Sequence, residues 1–228
     1  MKASFWFVTI AALFVTCLIT ANIIAVKFVL LLGFLVPAGV IVFPLSYLFG
    51  DVLTEVYGYS ATRLVIWLGF FCNLIAVIAF TIGGIAPAAP FWHDQTAYDT
   101  ILGFTPRLLL GSFVAYLIGE FTNSFILAKL KIATKGRWLW TRTIGSTLIG
   151  EGFDTLIFIL VAFWGVLPIE VMAQAILTQW LFKVTYEVIA TPFTYWIVNF
   201  LKRKESLDTY DYKTNFSPIL FRHASSNA

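Results

Sequence analysis

Charge is what this chain has least of. Only 12% of its 228 residues are Asp, Glu, Lys or Arg, half the share in ordinary soluble domains, while 60% are hydrophobic and 18% aromatic. One water-covered core could not hide that apolar surplus, which excludes a soluble globular fold. Histidine is nearly absent: His93 and His223 stand far apart in polar stretches, so an H-E-x-x-H metal site has no place. The two cysteines, Cys17 and Cys72, lie inside apolar runs and exclude both a disulfide framework and a cysteine-rich metal cluster. No metal, no cofactor and no catalytic residue are therefore expected. An intramembrane enzyme would need Ser146 or Ser124 beside Lys183, which stands as one alternative.

Long apolar runs are present instead. A hydrocarbon layer of about 30 Å takes about 20 helical residues to cross, and about six such runs can be placed, at roughly 5–26, 29–50, 64–86, 107–128, 144–166 and 174–200. The expected fold is an all-α integral membrane protein, a bundle of about six transmembrane helices over residues 1–204, followed by a flexible cytoplasmic tail, 205–228. Lys2, Arg63, the cluster Lys129, Lys131, Lys135, Arg137 and Arg142, and the tail residues Lys202, Arg203, Lys204, Lys213 and Arg222 all fall on the side of the termini. The opposite loops "HDQTAYD" and "GVLPIEV" carry no lysine or arginine. The positive-inside rule then makes both termini cytoplasmic. Gly69, or Gly111 with Ala115, offers small-residue faces for packing within the bundle or in a homodimer.

The few charges left inside the runs carry the functional signal. An acid or lysine at mid-span costs about 2.5–3.5 kcal/mol, so it pairs or faces a polar cavity. Glu120, Glu151, Asp154, Lys183 and Glu187 are of this kind. Lys183 can neutralise Glu187 on its own face or an acid on a neighbouring helix; three acids then remain. "IGEFTNS" from Ile118 resembles "IGEGFDT" from Ile149: Gly119, Glu120, Asn123 and Ser124 answer Gly150, Glu151, Asp154 and Thr155. At about 1.5 Å per residue along antiparallel helices, the two glutamates reach the same depth, so two polar faces would meet in one cavity of the last three spans. The first half adds Asn22, Lys27 and Asn73, with Asp51 and Glu55 placed at a span end in interfacial water beside Arg63, and Lys27 free to snorkel outward. Pro37, Gly39 and Pro44 argue against a continuous second helix.

Taken together, Asn22 with Lys27, "PAGVIVFPLSYLFGDVLTEVYG", "GEFTNS" and "WTRTIGSTLIGEGFDTLIF" resemble the queuosine precursor transporter family, also called the VUT family. The resemblance implies a bacterial inner-membrane importer of 7-deazaguanines (the 7-cyano or 7-aminomethyl form, or queuine) feeding tRNA modification, with a lipid bilayer and a small molecule as partners and no nucleic acid. The alternative is a substrate-binding membrane subunit of an ATPase-driven vitamin-type importer. A deazaguanine offers two adjacent donors, the ring N1–H and the exocyclic amine, which one carboxylate can accept together. Expected substrate contacts are Glu151, Asp154, Glu120, Asn123, Asn22, Lys27, Lys183 and Glu187, with Trp67 and Phe153 as stacking platforms, and Tyr186 and Trp180 as further aromatic choices.

Overall fold

The computed structural model describes residues 4–31, 34–103 and 106–219. Seven α-helices make up most of it: α1 (Phe5–Ile24), α2 (Phe43–Tyr57), α3 (Tyr59–Ile85), α4 (Gln95–Leu102), α5 (Pro106–Ala133), α6 (Leu139–Phe163) and α7 (Ile169–Glu205). α1, α3, the stretch Gln95–Ala133 and α6 are each long and apolar enough to cross a membrane. α7, the longest single helix among the described residues at 37 residues or about 55 Å, carries Lys183, Glu187 and a basic last turn. Large apolar side chains point outward, Ile75, Ile82 and Phe193 among them, while Asp51, Glu55, Glu120, Glu151, Lys131 and Arg142 are buried. Such an inside-out distribution suits a hydrocarbon surround.

The second crossing departs from the expected span 29–50. After α1 the chain forms a small antiparallel hairpin, β1 (Phe28–Leu31) and β2 (Phe34–Pro37), then a 3-10 turn, Ala38–Ile41, and only then α2. Turn and helix together, residues 38–57, cover about 30 Å. Apolar composition cannot tell a short strand from a helix segment, and that hid the shift. Pro44 sits in the first turn of α2, where its missing N–H costs nothing. Moving the crossing along the sequence carries Asp51 from the expected interface into the interior, where it is 0% exposed.

α5 and α6 form the tightest seam. Antiparallel and in constant register, Gly111 lies against Ala162, Gly119 against Asp154, and Gly150 against Asn123. A β-carbon on Gly150 would stand 2.7 Å from Asn123 Cβ and 3.0 Å from its Cα and N, closer than packed atoms approach. The two similar segments thus contact each other reciprocally, as expected of an inverted repeat. In this register Glu120 and Glu151 differ in depth by about two residues, ~3 Å.

One end of the bundle gathers the basic residues. There Glu55, fully buried, accepts from Arg142 Nε at 2.7 Å and Nη2 at 2.8 Å and from Lys202 Nζ at 2.6 Å, while Lys131 Nζ lies 3.6 Å away. Glu55 is therefore not in interfacial water, and Arg63 is not its neighbour. The tail is not loose through residue 219 either. Arg63 donates to the carbonyls of Asn215 and Ser217, Trp67 Nε1 to that of Pro218, and Lys131 to Asp208 at 2.6 Å. Gly58, just before α3, has no side chain to cap the helix; the Asp211 carboxylate accepts the Tyr59 N–H at 3.0 Å instead. An anion at a helix N-terminus is favoured twice over, by the orphan N–H groups and by the dipole. At the other end Arg107 donates to the Val161 and Trp164 carbonyls at the end of α6.

Candidate functional site

Four helices converge on a layer of buried polar groups. α6 contributes Glu151 and Asp154, three residues apart on one face, and α7 sends Lys183 between them. Lys183 Nζ donates to Glu151 Oε2 at 2.9 Å and to Asp154 Oδ2. The same ammonium lies 5.4 Å from the ring of Tyr47 on α2, a cation–π contact. Between the two sequence alternatives for Lys183 the fold chooses the neighbouring helix, not Glu187. The reason is reach: one ammonium can serve two carboxylates across the α6–α7 contact, but only one along its own helix.

From α5 come Glu120 and Asn123, and from α2 comes Asp51. Asn123 Nδ2 donates to Asp51 Oδ1 at 2.7 Å. Gly50 lets α2 approach α5 here, for a β-carbon in its place would stand 3.3 Å from Glu120 Oε2. One turn below, Thr54 Oγ1 meets Ser124 Oγ and Thr62 Oγ1, each at 3.2 Å, so α2, α3 and α5 are pinned by hydroxyls under the acids. What the layer leaves unmet is as informative. Both oxygens of Glu120, Asp51 Oδ2, Asn123 Oδ1, Glu187 Oε1 and the hydroxyls of Thr147 and Thr155 are buried without a hydrogen-bond partner. Each such group carries a desolvation cost of about 1–3 kcal/mol, and nearly all of them are acceptors.

Six of the ten expected contacts are brought together: Glu151, Asp154, Glu120, Asn123, Lys183 and Glu187. The other four are not. Asn22 donates instead to Asn73 across α1 and α3 at 3.2 Å; Lys27 is exposed after α1 and supplies a backbone carbonyl to Ala38; Phe153 is 45% exposed on the outer face of α6; and Trp67 holds the Pro218 carbonyl near the basic end. Trp180 donates to the Leu148 carbonyl beside Gly152. Sequence reasoning placed Asp51 at a span end because it read the second span too early, and it did not single out Tyr47. The signal was there in "YLFGD": Tyr47 and Asp51 are four apart, hence on one helix face. The polar layer expected from the last three spans thus draws on α2 as well.

A polytopic helical protein whose apolar shell encloses a closed layer of acceptors has the design of a membrane carrier for a small polar solute. The profile of a family described as "Putative vitamin uptake transporter" matches residues 37–197. A Bacillus subtilis (strain 168) protein named "Probable queuosine precursor transporter" is 33% identical over 180 residues, 78% of each chain. An Escherichia coli (strain K12) protein named "Queuosine precursor transporter" is 27% identical over 191 residues, 82% of each. No solved structure matches. The chain belongs to the queuosine precursor transporter (VUT) family.

Proposed function

We propose that this protein imports queuosine precursors, 7-deazaguanines, across the cell inner membrane with both termini in the cytoplasm. The observation that carries the reading is Glu120: a carboxyl at mid-depth, 3% exposed, with both oxygens unpartnered. A deazaguanine presents N1–H and an exocyclic amine side by side, and a carboxylate with two free oxygens takes both; charge-assisted bonds of this kind are the strong ones. Asn123 Oδ1, free beside it, accepts a further donor. Lys183, held by Glu151 and Asp154, is placed to donate to the ring carbonyl. In this scheme Glu151 and Asp154 act on the substrate through the lysine they orient, while Glu120 reads the donor edge. The 7-cyano, 7-aminomethyl and queuine forms share that edge, which supports recognition of the class.

The test is uptake of labelled 7-cyano-7-deazaguanine into vesicles that lack any ATPase. Uptake is expected, with guanine analogues lacking the exocyclic amine competing poorly. Glu120→Gln should weaken it tenfold to a hundredfold, since losing a charge-assisted bond costs about 1.5–3 kcal/mol and about 1.4 is a factor of ten. Binding without uptake would replace this reading with that of a subunit needing an ATPase partner; neither binding nor uptake would overturn it.

A further inference from the structure

The substrate layer holds five carboxyls, Asp51, Glu120, Glu151, Asp154 and Glu187, and among the described residues one ammonium, Lys183, is bonded to them, through Glu151 and Asp154. An uncompensated buried charge is too costly to leave as it is. Glu120 is assigned above to the solute. Asp51 and Glu187 are left, on α2 and α7, 0% and 3% exposed, each with one carboxyl oxygen that meets no partner.

We propose that Asp51 and Glu187 form a proton-binding site that couples solute movement to the proton gradient, which rests on the carrier reading above and extends it. A proton entering from outside adds to a carboxylate oxygen of this pair and leaves from the same oxygen when the site faces the cytoplasm. No other bond changes. Two carboxylates buried in one layer, with no cation bonded to either among the described residues, are too costly to keep both ionised, so α2 and α7 hold them there only when the proton is present. Farther toward the basic end the same two helices are joined by opposite charges, Glu55 with Lys202 at 2.6 Å, a contact that needs no proton.

Both helices are built to respond. α2 begins after a 3-10 turn, and α7 contains Pro192 five residues beyond Glu187. That proline has no N–H for the Val188 carbonyl, a common cause of bending. Asn123 links the site to the solute: its amide donates to Asp51 at 2.7 Å while its Oδ1 stays free toward Glu120's side of the layer. The titratable groups facing the pair are Glu120 from α5, Glu151 from α6 and Tyr186 beside Glu187 on α7, with Cys17 of α1 next to Tyr186. Tyr47 lies one turn away on α2 and interacts with Glu151. None of these supplies a positive charge.

Two measurements decide it. A hydrophobic carbodiimide, which modifies protonated carboxyls inside membranes, should label Asp51 or Glu187 in the full-length protein at neutral pH, with labelling falling as pH rises; peptide mapping that finds neither adduct overturns the site. This readout needs no solute. In vesicles, an inward proton gradient of one pH unit should raise accumulation of labelled 7-cyano-7-deazaguanine up to about tenfold, the limit for one proton at about 1.4 kcal/mol. Asp51→Asn and Glu187→Gln should each bring accumulation with the gradient down to the level reached without it. Accumulation driven by a sodium gradient at constant pH, or variants that still concentrate solute, overturns the coupling. Vesicles of the unaltered protein that fail even to exchange the solute count against the deazaguanine reading alone, and the carbodiimide result still decides the proton site.

Discussion

At the scale of single residues, the layer is governed by one cation serving two anions. Lys183 is shared by Glu151 and Asp154, so the three side chains differ sharply in what their loss would do. Removing the ammonium strands two buried carboxylates, and breaking a buried pair from one side costs about 3–5 kcal/mol. Lys183→Met should therefore lose most of its folded fraction, read as loss of the monodisperse peak in detergent chromatography. Glu151→Gln and Asp154→Asn each leave the lysine one carboxylate. Both are expected to fold and to import with affinity reduced tenfold to a hundredfold, about 1.5–3 kcal/mol for a weakened charged hydrogen bond, checked by saturation uptake. If both variants import as the parent does, the trio is a structural strut. The pairing itself could not be read from sequence, because residues 151 and 183 are linked only through the packing of α6 on α7.

Helices and segments follow from simpler rules, and two of them invite direct tests. The α5–α6 seam depends on the absence of β-carbons: Gly119→Ala would push an atom to 2.7 Å from Asp154 Cβ, and Gly150→Ala would meet Asn123 backbone. Overpacking of this sort costs about 1–3 kcal/mol, so both variants should lower the thermal unfolding midpoint. Gly145→Ala, whose nearest neighbour is the flexible Leu130 side chain at 3.3 Å, should not. The repeated Gly–Glu segments made this contact legible in advance, since antiparallel helices with matching motifs at equal depth meet there. The hairpin at Phe28–Pro37 was not legible, because its residues are as apolar as a span.

The tail segment after α7 belongs to the same scale. Burial works against ionising Asp208, but its hydrogen bonds to Lys131 and Lys202 outweigh that and hold its carboxyl below the ordinary range. With the folded value beneath the unfolded one of about 3.9, its contribution is fully present above that pH and fades as pH falls through the folded value. Protease cleavage between Leu207 and Ile219 is accordingly expected to be slow near neutrality and to quicken below about pH 4; a pH-independent rate would remove Asp208 from the latch. Its docking escaped sequence reading because a polar, glycine-free tail of Asp, Tyr, Thr and Asn has the composition of a loose end. Its partners are carbonyls and an uncapped helix start, which have no sequence signature.

Over the whole molecule, charge sorts into two levels: a layer rich in acids at mid-depth and a basic end where Glu55 is surrounded by Arg142, Lys131 and Lys202. By the positive-inside rule that end is the one proposed to face the cytoplasm. A cysteine introduced at Gly136, in the α5–α6 loop, should react with a membrane-impermeant thiol reagent only after the membrane is permeabilised; labelling of intact cells would invert the orientation. By itself the sequence determined the membrane class, the family and the reciprocal Gly–Glu segments of α5 and α6, because hydropathy and motif are properties of the chain read in order. Only the tertiary structure decided that Lys183 belongs to Glu151 and Asp154, that Asp51 lies in the layer and Trp67 and Phe153 do not, and which oxygens remain free. A buried group's partner is set by which helix faces come within about 3 Å of one another, and that distance is a property of packing.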